Sequence, residues 1–503
     1  MVEILGHKGG KSTIGLLDLP NELLDRIAEY VSNSERATNS KHATLFQLAL
    51  VNKRLWKTVS PSMLVRHWPV KRHDDFHPPV AFLARHLLYN PQLRTQVRSI
   101  SLSYADAFSI CSELRESEAL SMEARTIWLD LATRVNRSAD SFEAVNGALT
   151  ALVLSWTTGI TSLDMQVPCY DYNYFLPLVL AADVAMRITA GSLLPTPGGL
   201  PLVALRHVDI SSCHDRTETI DGKWIAPFFH LPRMKTFVGH LLHLRGDDDE
   251  SSTDVDSSLE CPVDFPSGTS PVEEILLSYT DFTPLGLGML VHSCRHLRKL
   301  AISGIYFMVG TNMSTNALAQ IILSHKSSLE ELYLDLSECD EHELFEDFRD
   351  GAVALEDCFQ HLHSLACLNI DVPSVRTSDN SWKVLSLKRL PPRLERLSAN
   401  VEHVFEEDNG EHRVVDINRL PSSLTALELS GLGSWANFPP YRKRVSRYMD
   451  AFQTLMHECG QESRFPKLKD VHLPVVDHHS VEGLEVLKEL ASINDVELTL
   501  EHL

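Results

Sequence analysis

One spacing recurs along most of this chain and limits what it can fold into: an apolar residue, two others, a second apolar residue, one other, a third. It occurs as Val97-Ile100-Leu102, Ile160-Leu163-Met165, Leu205-Val208-Ile210, Val272-Ile275-Leu277, Leu297-Leu300-Ile302 and Leu329-Leu332-Leu334. It continues as Leu365-Leu368-Ile370, Leu394-Leu397-Ala399, Leu424-Leu427-Leu429, Leu468-Val471-Leu473 and Ile493-Val496-Leu498, with Met234-Phe237 a poor further copy. The last two apolar positions are two apart, so both point to one side of a strand. Amphipathic segments separate the copies, among them Asn316 to Leu323, Glu341 to Leu362, Arg447 to Met456 and Val481 to Ile493, and these read as helices. Strand then helix, repeated, predicts parallel strands stacked side by side, because no single unit can bury its own apolar face.

This pattern resembles the leucine-rich-repeat family, and Cys213 stands where that family's motif places Asn or Cys. The resemblance implies an α/β fold: an irregular solenoid over 96–503 with parallel strands inside and helices outside. Intervals between copies run from 25 residues (Ile275 to Leu300) to 63 (Ile100 to Leu163), so insertions are expected. The largest, 246–271, is rich in acids, serines and prolines, cannot bury a core, and is expected to be disordered.

Strand residues that alternate with the leucines would line the inner curve and be free to bind. The candidates for target binding are Asp209, Glu274, Glu331, Tyr333, Asp335, Asp371, Arg396 and Glu428; Lys299, Asn369 and Asp470 lie on the same face. Acids outnumber bases there seven to two, which favours a basic or hydrogen-bonding protein segment, with Tyr333 as a candidate anchor.

A different pattern occupies 16–68. Leu19, Leu23, Leu24, Ile27 and Tyr30-Val31 fall on one helical stripe, with Pro20 suited to the first turn. A second run, Leu45, Leu48, Ala49, Val51, Asn52, Leu55 and Trp56, repeats it before Pro61. Two short helices with this much apolar surface cannot hide it between themselves. The spacing Leu19-Pro20-x-x-Leu23-Leu24-x-x-Ile27, then Leu48 to Arg54, then Pro61 and Leu64, resembles the F-box family, although Val31 and Leu45 are separated by a longer polar loop than that family usually has. The resemblance implies a small all-α module in which Leu19, Pro20, Leu23, Ile27, Val51 and Leu55 dock onto a Skp-type adaptor. Together the two resemblances imply a substrate receptor of an SCF-type cullin-RING ubiquitin ligase. Its partners would be the adaptor, the cullin scaffold and an unidentified protein target. The alternative is a leucine-rich-repeat scaffold whose helical module caps the array.

Residues 1–15 read as a flexible tail and 69–95 as a linker. Gly9-Gly10-Lys11-Ser12-Thr13 suggests a phosphate loop, but Leu5 stands where that loop needs its first glycine. The 46 basic and 67 acidic residues give a net charge of −21, which disfavours nucleic acid and anionic membrane. Nine scattered cysteines without a C-x-x-C pair point to reduced thiols. The apolar runs are short of a membrane span, and the expected location is cytoplasm or nucleus. His361, His363, His478 and His479 lack zinc-motif context, and no nucleophile elbow or dinucleotide fingerprint occurs. Neither catalytic residues nor a metal or cofactor is expected, and the reading is of a non-catalytic binding protein.

Overall fold

The computed structural model describes residues 19–20, 23–24, 26–27, 67–68, 80–102, 122, 126, 152–167, 202–212, 219–244, 263–304, 313–337, 344–345, 353–372, 375–376, 382–383, 387, 389–400, 404, 406–408, 412–414, 419–430, 449–460, 463–475 and 481–502. The fold is mixed α/β, dominated by parallel strands. The chain divides into two compact units, the first comprising 1–165 with 196–205 and the second 166–195 with 206–503.

In the first unit, Leu23 and Leu24 are helical, both amides donating to the Pro20 carbonyl at 3.1 Å. Strands β1 (His67–Trp68), β2 (Ser99–Leu102) and β3 (Ser162–Val167) run parallel in that order. The stretch read as a linker holds helix α1 (Val80–Tyr89) and a 3₁₀ turn over Pro91–Gln96. Leu83, Ala84 and Leu87 on α1 are fully buried, so the unit's core begins earlier than the first leucine triplet suggests. The Arg94 guanidinium lies 3.7 Å from the centroid of the Trp156 ring.

The second unit is a parallel ladder in sequence order: β4 (His207–Ser212), β5 (Thr236–His240), β6 (Glu274–Ser278), β7 (Lys299–Ser303), β8 (Glu331–Asp335), β9 (Cys367–Asp371), β10 (Arg396–Asn400), β11 (Ala426–Ser430), β12 (Asp470–Val475) and β13 (Glu497–His502). Its register aligns the repeated residues: Ile275, Leu300, Leu332, Leu368, Leu397, Leu427 and Val471 form one row, and Leu277, Ile302, Leu334, Ile370, Ala399 and Leu429 the next. All are buried. Each Leu, Ile or Val among them contributes roughly 1.5–3 kcal/mol on burial, so these rows outweigh the net worth of any one ladder hydrogen bond. Helices α2 (Pro284–His292) and α3 (Thr315–Leu323) are capped by Thr283 and Ser314, whose side chains accept from the Gly286 and Ala317 amides. Helix α4 spans Val481–Ile493, as its periodicity predicts.

Besides the linker, four expectations change. The poor copy at Met234-Phe237 is a full strand, β5; Gly239 fills the third position, and a Cβ there would stand 2.4 Å from the Leu242 side chain, so Leu242 takes the space. The last triplet is out of register: Val471 and Leu473 pair with Leu498 and Leu500, because α4 runs to Ile493 and Asp495, at φ +56°, turns the chain before the strand starts. Among the described residues of 341–362, read as helical, Leu344–Phe345 is a short strand and Leu355–Cys358 is α-helical, continued by a 3₁₀ turn over Phe359–His361. Leu355, Cys358, Phe359 and Leu362 are buried there. Finally, 263–271 is packed, with Val263 and Ser270 buried and Ser270 bridged to Cys294. Residues 1–15, read from the sequence as a tail, the acidic 246–262, Cys213, Val51 and Leu55 lie outside the described residues.

Candidate functional site

The alternation that buries the leucines turns the residues between them to the opposite face of the second unit's sheet. Three rows result, and the register assigns every candidate to one of them. The first carries Glu274, Lys299, Glu331, Cys367 and Arg396; the middle row carries Val238, Leu276, Ala301, Tyr333, Asn369 and Glu428; the third carries His240, Ser278, Ser303, Asp335 and Asp371. Asp209 lies in the middle row on β4, beside Val238. All eight expected target-binding residues therefore share this face, with Glu331, Tyr333, Asp335 and Asp371 on two adjacent strands.

The face is not uniformly acidic. Glu331 Oε2 lies 2.7 Å from Lys299 Nζ, which neutralises it, and Glu274 accepts from Thr236 Oγ1 at 3.0 Å. Asp209 Oδ1 stands 3.3 Å from His240 Nε2, and the other ring nitrogen of His240 meets Ser278 Oγ. Asp335 and Asp371 differ: they are paired in register, and neither has a cationic partner among the described residues. Burial, then the Asp335 charge, pushes the Asp371 carboxyl above its ordinary value, partly countered by a hydrogen bond from Asn400. The Tyr333 phenol is likewise raised, first by burial and then by the Asp335 and Asp371 charges.

Between these rows lies a groove of about 440 Å³, lined by Val238, Leu276, Ala301, Tyr333, Lys299 and Ser303 among others. Strand alternation in the sequence points to polar residues facing away from the core and so does not reveal this apolar floor. The signal was present: Glu274–Ser278 reads E-I-L-L-S, an unbroken apolar run, and Lys299–Ser303 reads K-L-A-I-S, so both sides of these strands are apolar at mid-strand.

Ser278, His240 and Asp209 form a chain of polar contacts, but a hydrolytic use would need an oxyanion donor nearby. The amide after Ser278, that of Tyr279, donates to the Ser303 carbonyl at 2.9 Å, and that of Leu241 to the Ser278 carbonyl at 3.1 Å. The contacts hold His240 in place against the groove wall. Cys294 and Cys459, both buried, have thiols pushed up to about 12 and about 11 by desolvation, which disfavours the reactive thiolate. Among the described residues no three His, Cys, Asp or Glu side chains stand together as a metal site, and no helix is long and apolar enough to cross a membrane.

In the first unit, Leu23 is 44% exposed and Pro20 is exposed, Leu19 and Ile27 are half-buried, and Leu24 is buried. Neither the protein-family models nor the curated proteins compared with this sequence include a match to it.

Proposed function

We propose that the chain is a non-catalytic substrate receptor of an SCF-type ubiquitin ligase, an F-box module followed by an irregular leucine-rich-repeat solenoid. The observation that carries the solenoid part is the register: leucine rows from β6 to β12 align position for position although the intervals between strands differ. A generic α/β domain has no need to repeat one spacing in consecutive sequence-ordered strands. Support for the docking part is the helical turn that buries Leu24 while leaving Leu23 44% exposed, an apolar side chain available to a second polypeptide. The receptor makes no bonds itself; it holds a target near the transferring enzyme and raises its effective concentration.

A scaffold without a ligase role is the second reading, favoured by the half-burial of Leu19 and Ile27, which lets the helix act as a cap. Partner purification from cells separates the two. The receptor reading expects the full chain to bring down a Skp-type adaptor and a cullin, together with a target whose recovery falls in an Asp335→Lys variant. Recovery of neither adaptor nor cullin, with the other partners retained, would leave the scaffold.

A further inference from the structure

The groove over β5 to β8 is bounded in a way that says what could fill it. In three neighbouring strands the middle residue of the solvent face is Val238, Leu276 or Ala301, and Tyr333 continues the row on the fourth. Single exposed apolar residues are ordinary, whereas a contiguous strip flanked by polar rows marks a binding surface. These strands are interior to the ladder, so their backbone groups are already spent on one another. A ligand therefore cannot add as a further strand and must be held through side chains. The rims define polarity. Lys299 is neutralised by Glu331 and His240 is engaged by Asp209 and Ser278, while Asp335 and Asp371 stand side by side with no cation supplied by the described residues. What the groove lacks is one apolar group and one positive charge.

We propose that this groove binds an extended peptide segment that seats a large apolar side chain on Val238, Leu276, Ala301 and Tyr333 and sets an arginine or lysine against Asp335 and Asp371. The inference rests on the reading of this face as the target-binding one and names the class of target. Strand and residue spacings of about 4.8 and 3.3 Å put the two carboxylates on the order of 10 Å from Ala301. The cation therefore belongs two or three residues from the apolar anchor in an extended chain. Arginine suits the pair better than lysine, since its planar fork can reach both carboxylates. Burial and mutual repulsion already raise the proton affinity of Asp371, a cost that a bound cation relieves. The net charge of −21 favours approach of basic segments.

The test uses the purified full-length chain against a positional-scanning library of acetylated, amidated nonapeptides, with affinities of selected peptides read by fluorescence polarisation. Selection of Leu, Ile, Phe or Met together with Arg or Lys two or three residues away is expected. Ala301→Trp, which fills the floor from the solvent side, should weaken the selected peptides at least tenfold with thermal melting unchanged. Tyr333→Ala, at a half-exposed position, should weaken them comparably and serves if the tryptophan variant does not fold. Asp335→Asn with Asp371→Asn should abolish the preference for the cation and keep that for the apolar residue. Selection without an apolar or cationic preference, selection of acidic peptides, or affinity indifferent to these variants overturns the proposal. Capture of a Skp-type adaptor by the same preparation is measured in parallel. Peptide selection without adaptor capture contradicts the ligase role alone, and adaptor capture without selection contradicts this inference alone.

Discussion

Two neighbouring leucines show how finely burial divides labour. Leu24 is 2% exposed and Leu23 44%, one residue apart on the same turn. Leu24→Ala should cost roughly 2–5 kcal/mol of stability, through lost transfer energy and the cavity left behind. Leu23→Ala should stay within about 0.5 kcal/mol, as expected of an exposed site, and denaturant melts of the two variants check the contrast. Asp371 supplies a second test at this scale. Its folded proton affinity is raised above the ordinary 3.8, so the folded state holds the proton over a range where the unfolded chain has released it. Stability therefore falls as pH rises through that range. Asp371→Asn should raise the melting temperature at neutral pH, and the gain should shrink as the pH falls towards 4 and below. A constant gain at every pH would show that the charge of Asp371 is not its cause.

At the scale of elements, the loops joining helix to strand are held by particular side chains. His325, 7% exposed, lies against the Val291 carbonyl through Nε2 at 3.0 Å and accepts from the Leu297 amide through Nδ1 at 3.4 Å. It thereby ties the end of α2 to the entry of β7 in its neutral form. Desolvation lowers its proton affinity below the ordinary 6.5, so its contribution is present above that pH and is lost as pH falls through the lower folded value. His325→Ala should cost roughly 1–3 kcal/mol at neutral pH by leaving the Leu297 amide without its acceptor, the Val291 carbonyl keeping the Cys294 amide as a donor, and less in acid, as denaturation curves at the two pH values would show. The strands were legible in the sequence because strand alternation and the leading leucine are short-range signals. Phe237 and Gly239 obscured β5 because the leucine slot is filled from a distance, by Leu242 and by the rings of Phe228 and Phe229 around Phe237. The start of β13 was misplaced by two residues because a left-handed turn at Asp495 leaves no mark in hydrophobicity. At the site, the face and its acids were readable from alternation. The pairing of Glu331 with Lys299 was not, because it depends on which strands become neighbours.

For the whole molecule, the account joins two surfaces through one chain. One is a helical turn near the amino end that leaves Leu23 partly exposed; the other is the face of the second unit opposite its buried leucine rows, with its apolar groove and paired carboxylates. Rows of buried leucine fix the second face by register, so substitutions on it should alter recognition while leaving the fold in place. The first surface decides whether the chain serves a ligase at all. Calorimetric titration of a purified Skp-type adaptor into the full-length chain tests that claim most directly. The account predicts saturable binding of one adaptor per chain, weakened at least tenfold by Leu23→Asp in a variant that melts like the original chain. No heat of binding to the original chain, or equal affinity for the Leu23→Asp variant, would contradict it.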